Sequence, residues 1–187
     1  MIPHPNVEKN EGRGSILYIK KNLKHKDIPI NSGGKHFEEC IVQEINLNAS
    51  DSLVCVNIYR RGESTQKNND NLLELIKEIA STNNKQILIM GDLNLKEINW
   101  EYFSAPGTNL KDYNHRFIKC IRDSFLFQHV TENTRQRGND TPSCLDLVFT
   151  SEEHMIKGLE YMAPLGRSDH SIIKFEIPCK MEKSPPK

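Results

Sequence analysis

Apolar residues along this chain fall in short bursts separated by polar stretches. Ser15 to Lys20, the stretch Ile41 to Asn46 and the run Leu53 to Tyr59 each read as a strand. Leu47 to Ser52, between the last two, has the Asn and Ser chemistry of a hairpin turn. Basic loop sequence runs from the first strand through Lys26. Leu72, Leu73, Ile76, Ile79 and Ala80 recur at helical spacing, bracketed by Asn-rich sequence. Gln86 to Met90 is a continuous apolar run, the mark of a strand covered on both faces. A second helix is predicted from Asp112 to Ser124, with Phe117, Ile118, Ile121 and Phe125 facing the core. Leu145 to Thr150 and Ile172 to Ile177 read as closing strands.

The ends carry no such pattern. Residues 1–14 are expected to be a flexible lead-in and residues 179–187 a disordered tail, leaving one domain over residues 15–178. Many strands with two substantial helices predict an α/β architecture of packed sheets with helices outside.

Composition narrows the function. The 187 residues are 36% hydrophobic, with seven Phe and five Tyr, enough for one real core. Mean hydropathy is −0.61, lean but not that of a disordered chain. Lys plus Arg and Asp plus Glu both number 25, so the net charge is zero. That excludes a histone-like protein whose overall field gathers nucleic acid, and any phosphate binding must be local. Five scattered cysteines without a C-x-x-C pair argue against a zinc site or a disulfide partner. With no signal peptide or long apolar run, the expectation is an intracellular protein, nuclear or cytoplasmic, with no membrane partner.

Four places could carry chemistry, all at strand ends. Gly91-Asp92-Leu93-Asn94 puts a carboxylate and an amide where the buried strand emerges, suited to a water-activating or metal-binding acid beside a phosphate donor. An Asx turn is the bland alternative. Ser168-Asp169-His170-Ser171 offers an acid and a proton-exchanging imidazole before the last strand, or else a polar turn. Adjacent side chains on extended chain normally face opposite ways, although both could reach a cleft at a strand entrance. Asp146, inside an apolar strand, is expensive to bury unless paired, and a histidine is its natural partner unless that sheet face is solvated. Tyr59-Arg60-Arg61 supplies a phenol and two guanidiniums, good phosphate donors or an ordinary edge-strand end. Arg135 and Arg137 lie in a polar loop that either touches DNA phosphates or is simply solvated. The other histidines have no ligand spacing, and Trp100 reads as packed rather than as a base-stacking platform.

In this order the four places resemble the endonuclease/exonuclease/phosphatase superfamily. Within it, the text is most similar to the endonuclease domain of non-LTR retrotransposons of the jockey and chicken-repeat type. The phrases that carry the likeness are G-R-G-S-I-L-Y-I-K-K-N-L from Gly12, I-L-I-M-G-D-L-N-L-K-E-I-N-W from Ile87 and F-L-F-Q-H-V-T-E-N-T-R from Phe125. C-L-D-L-V-F-T-S from Cys144 and P-L-G-R-S-D-H-S from Pro164 complete the set.

The resemblance implies a four-layer α/β sandwich, two packed mixed β-sheets flanked by helices. It also implies a Mg²⁺-dependent phosphodiesterase, with Mn²⁺ as a substitute, that nicks target DNA and leaves a 3′-hydroxyl to prime a reverse transcriptase domain of the parent element. By position, Asp92 would orient or deprotonate water and Asn94 would hold the scissile phosphate. Asp169 would help place the metal, and His170 would contact the phosphate with Asp146 as its partner. Tyr59 would donate to the phosphate or leaving group, with Arg60, Arg61, Arg135 and Arg137 as DNA contacts.

Family members begin with a strand–helix–strand unit ending in a metal-binding Glu of a T-E-T-like phrase. Glu8 and Glu11 lie in polar sequence with no apolar strand before them, so neither matches it. The expectation is therefore a domain lacking that N-terminal unit, with little nicking of its own. Competing functions are a superfamily phosphatase acting on non-DNA phosphates and a catalytically dead pseudo-nuclease that binds DNA or protein.

Overall fold

Two strands buried on both faces organise the molecule. In the computed structural model, which describes residues 2–3, 15–30, 37, 39–48, 51–82 and 85–178, Ser52–Tyr59 (β5) and Gln86–Asp92 (β6) pair in parallel. Cys40–Asn46 (β4) and His25–Asp27 (β3) extend the sheet antiparallel on one side. Asp146–Thr150 (β8) and Phe127–Gln128 (β7) extend it on the other, in the order β3-β4-β5-β6-β8-β7. The tail 179–187, with Cys179, and the lead-in apart from residues 2–3, with Glu8 and Glu11, lie outside the described residues.

Alternation along these strands builds two cores. Val54, Val56, Ile58, Ile87, Ile89, Leu147 and Phe149 face Gln66–Ala80 (α1) and Tyr113–Asp123 (α2). Leu53, Cys55, Leu88 and Val148 face the other way, where Leu159, Tyr161, Ile173 and Phe175 cover them. Those four belong to Lys157–Met162 (β9) and Ile172–Glu176 (β10), an antiparallel pair forming a second sheet. The fold is thus a mixed α/β sandwich: helices, a six-stranded sheet and a smaller sheet, with both described helices on one side.

Local chemistry explains the helices. Thr65 caps α1 by accepting the Asn68 N–H at 3.2 Å, and Leu72, Leu73, Leu75, Ile76 and Ile79 form its buried stripe. On α2, Phe117, Ile118 and Ile121 are buried as their spacing predicts. Trp100 packs edge-on against Phe103, Phe117 and Phe149.

Phe125 departs from expectation. It is 81% exposed, and Leu126, 6% exposed, takes its place in the core. The helix ends at Asp123 with Ser124 as its cap, within a residue of expectation, and the turn that follows takes Phe125 off the helical period. Phe125 adopts φ 53°, its N–H bonds the Arg122 carbonyl, and the Leu126 N–H bonds the Ile121 carbonyl. This is the left-handed C-terminal motif that normally carries glycine.

Three strands lack a clear signal in the sequence. β3 was expected as loop, and all three of its residues are exposed, so no period marks it. Only Leu159 and Tyr161 turn inward on β9. Ile2–Pro3 (β1) lies in the stretch whose polar pattern predicts only a loose lead-in, and it pairs with Ile16–Leu17 (β2), within the strand expected from Ser15 to Lys20.

A non-glycine residue in the left-handed region costs about 1 kcal/mol or more, and Phe125 recovers little of that by burial. Phe125→Gly should therefore raise stability by roughly 0.5 kcal/mol after the added flexibility of the unfolded chain is counted. Urea unfolding midpoints measure this, and a midpoint lowered by the substitution would contradict it.

Candidate active site

The ends of β5, β6 and β8 come out level. Tyr59 pairs in register with Asp92, and Asp92 with Asp146, so all three side chains emerge on the face of the sheet that carries the smaller sheet. Gly91 makes the approach possible. A Cβ there would sit 1.9 Å from the Ile58 carbonyl oxygen, and its φ of 139° suits only glycine. The following turn is fixed by the Asn94 N–H bonding Asp92 Oδ1 at 3.1 Å, with Asn94 itself at φ 50°.

β10 brings the histidine. His170 Nδ1 lies 2.8 Å from Asp146 Oδ2, and Asp92, Asp146 and His170 each bring a ligand atom within 4.8 Å of the others. The group could hold a cation or handle protons. Burial first, and then the neighbouring Asp146 carboxylate, push Asp92 up to about 6, against the pull of His170, the Asn94 N–H and Arg135.

Asp169 is not in this group. At the bend before β10 its Oδ2 lies 3.0 Å from Arg135 Nε. The metal position that resemblance gives Asp169 is thus turned toward Arg135, while His170 turns toward Asp146.

Arg60 also differs from expectation. It is 5% exposed, too deep to meet DNA from the surface. Its Nη1 donates to the carbonyls of Leu93 at 3.1 Å and Asn94 at 3.4 Å, and its Nε donates to Asn69 Oδ1 at 2.8 Å. Its guanidinium carbon stands 4.7 Å from the centre of the Tyr113 ring. Its own carbonyl accepts from Asn94 Nδ2 at 2.8 Å. Arg60 therefore clamps the Asp92–Asn94 turn from beneath. Arg61 is half exposed and pairs with the buried Glu39 at 2.6 Å. Arg137 is exposed in its loop, with its carbonyl accepting the Asp140 N–H.

Thr134 is a site residue that motif reasoning missed. Its fully buried hydroxyl donates to Asp146 Oδ2 at 2.6 Å and accepts the N–H groups of Leu145 at 3.1 Å and Asp146 at 3.0 Å. The only signal was its place in the phrase E-N-T-R. Two clefts of about 330 and 340 Å³ flank the Asn94 turn, and Lys96 borders both. Arg60, Tyr113 and Asn114 line the first, and Arg135, Thr141 and Ser143 the second.

Comparison with known proteins follows this geometry. The family described as endonuclease-reverse transcriptase matches residues 53–174, which include every ionisable group of the cluster. The fold is shared with the endonuclease domain of TRAS1, a telomere-specific non-LTR retrotransposon. The TM-score is 0.62 at 18% identity, covering 83% of this chain and 67% of that one. A mannosyl-6-phosphatase of Bacteroides thetaiotaomicron gives 0.47 at 13% identity, over 77% of this chain and 59% of that one. The human nocturnin catalytic domain with bound sulfate gives 0.40 at 13% identity, over 74% and 53% respectively. No curated protein matches the sequence. Among the described residues Cys40, Cys55, Cys120 and Cys144 are free thiols, and no helix is long and apolar enough to cross a membrane.

The raised Asp92 value carries a stability consequence. Between its ordinary value of 3.8 and about 6, the folded chain holds a proton that the unfolded chain has lost. Stability therefore falls as pH rises through that window, and the penalty is complete above it. The gap corresponds to at most about 3 kcal/mol. Asp92→Asn keeps an acceptor for the Asn94 N–H and removes the charge. It should be more stable than the parent by about 1–3 kcal/mol near pH 8, with a smaller difference near pH 5. Urea midpoints at the two pH values check this, and a difference independent of pH would refute it.

Proposed function

Because the chain belongs to the endonuclease-reverse transcriptase family, we propose that it is the endonuclease domain of a retroelement, hydrolysing one phosphodiester of target DNA with Mg²⁺ or Mn²⁺. The observation that carries this reading is the convergence of Asp92, Asp146 and His170 at one end of three paired strands. Asp92, ionised above about pH 6, orients the attacking water and takes its proton. Asn94 spends one amide N–H on the Arg60 carbonyl and keeps the other for the scissile phosphate. His170, with Nδ1 on Asp146, presents Nε2 to the phosphoryl oxygens. Tyr59 donates to the phosphate or to the leaving oxygen. As water oxygen bonds phosphorus, the bond from phosphorus to the 3′-oxygen breaks, leaving a 3′-hydroxyl and a 5′-phosphate. That hydroxyl is what a reverse transcriptase domain of the parent element would extend.

The residues present fit a divalent cation. Mg²⁺ takes oxygen ligands and is usually held by one or two carboxylates, with water and substrate phosphate completing its shell. Asp92 and Asp146 would supply two such carboxylates, and the charge of a bound cation would favour the ionised form of Asp92 against burial and the Asp146 charge. When bound, the ion neutralises charge developing on the phosphoryl oxygens.

Two carboxylates alone hold Mg²⁺ weakly, so the isolated 187-residue polypeptide should nick slowly. A version preceded by the family's strand–helix–strand unit should nick faster. Conversion of supercoiled plasmid to open circles with Mg²⁺ measures both. Asp92→Ala or His170→Ala should lower the rate by at least ~10²-fold. Hydrolysis of sugar or lipid phosphomonoesters with no plasmid nicking, in either version, would sink the proposal in favour of a phosphatase. Metal-independent DNA binding without turnover would favour a pseudo-nuclease.

A further inference from the structure

We infer that Thr134 is a positioning residue that sets the tautomer and placement of His170 through Asp146. A hydroxyl has one proton to donate and two lone pairs. Both lone pairs of Thr134 Oγ1 are taken by main-chain donors, the N–H groups of Leu145 and Asp146. Its proton is then directed to Asp146 Oδ2, 2.6 Å away. No other orientation satisfies all three groups, and Thr134 is fully buried.

That same oxygen receives His170 Nδ1 at 2.8 Å. An ionised carboxylate only accepts, so the imidazole must carry its proton on Nδ1 and point Nε2 outward. Thr134 acts from a second direction as well. Its carbonyl accepts the Ser171 N–H at 2.7 Å, beside the histidine, and the next residue forms a bridge with His170. The side chain fixes the acid and the main chain fixes the segment bearing the imidazole. One residue therefore sets the separation of the pair from both ends. Partners that orient a functional imidazole from behind typically change activity by 10–100-fold when removed.

What His170 does once positioned rests on the nuclease reading; its tautomer does not. The experiment uses the full chain with Thr134→Ser, Thr134→Val and Thr134→Cys. Long-range ¹H–¹⁵N spectra report the His170 tautomer, and plasmid nicking gives kcat and KM. The serine variant should keep the Nδ1–H tautomer and nearly the parent kcat. The valine variant should show mixed tautomers and lose ~10–100-fold in kcat, with KM within about twofold. If valine prevents folding, the cysteine variant decides, since its thiol keeps the volume but donates weakly. A single Nδ1–H tautomer and parental kcat in valine, or in cysteine where valine does not fold, would overturn the inference. If neither the parent chain nor the version preceded by the strand–helix–strand unit nicks DNA, the nuclease reading fails. The tautomer spectra then still decide for or against Thr134.

Discussion

Burial of three neighbouring strands on both faces is the constraint from which the rest follows. In the middle of β5, β6 or β8 an ionised group would lose its water on either side, a loss worth several kcal/mol even after relaxation. Charge is tolerable only where the covering layers stop. Tyr59, Asp92 and Asp146 stand at that limit, level with one another because the strand register makes them so. The smaller sheet contributes twice, covering the inner face with Ile173 and Phe175 and delivering His170 at the point where its cover ends. Packing and chemistry are thus settled by the same boundary.

Two buried polar residues then hold the strand ends in working order, and their energetics differ from those of the exposed ion pairs. Arg60 places its donors on main-chain carbonyls and Thr134 on a carboxylate that it shares with His170, and a buried acceptor left unmet costs about 1–3 kcal/mol. Arg135 and Asp169 are both partly exposed, with side chains 28% and 34% accessible. A pair of that kind is worth roughly 0–1 kcal/mol. The first two are fixed framework. The Arg135–Asp169 pair contributes little to the stability of the fold.

Much of this was legible in the sequence because burial writes a periodic signal. The doubly covered run Gln86 to Met90, the stripes of both helices and the four polar strand ends all stood out for that reason. Where the signal is absent, the expectation went astray. His25–Asp27 is exposed throughout and pairs only by its backbone, so nothing in its side chains announces a strand. Phe125 fits the helical period, yet a left-handed terminus hands its core position to Leu126. Arg60 reads as a surface phosphate donor until its depth is known, and depth depends on Tyr113 and Asn69, which the sequence does not place beside it. That Asp146 takes a histidine follows from the cost of burying an acid, but that the histidine is His170 came from the family resemblance. Thr134 needed three hydrogen bonds from a loop, which no spacing rule encodes.

Gly91 has a consequence of another kind, for how this sequence can change over time. Every substitution there adds a Cβ, and that atom meets the Ile58 carbonyl oxygen at 1.9 Å, a clash with backbone that no side-chain rearrangement relieves. The damage falls on the β5–β6 pairing and on the adjoining Asp92 in the same stroke. At most positions of a site, mutation leaves a folded protein that has lost its chemistry. At this one, drifting copies lose shape and chemistry together, so the position offers no route to a silent, well-folded relic.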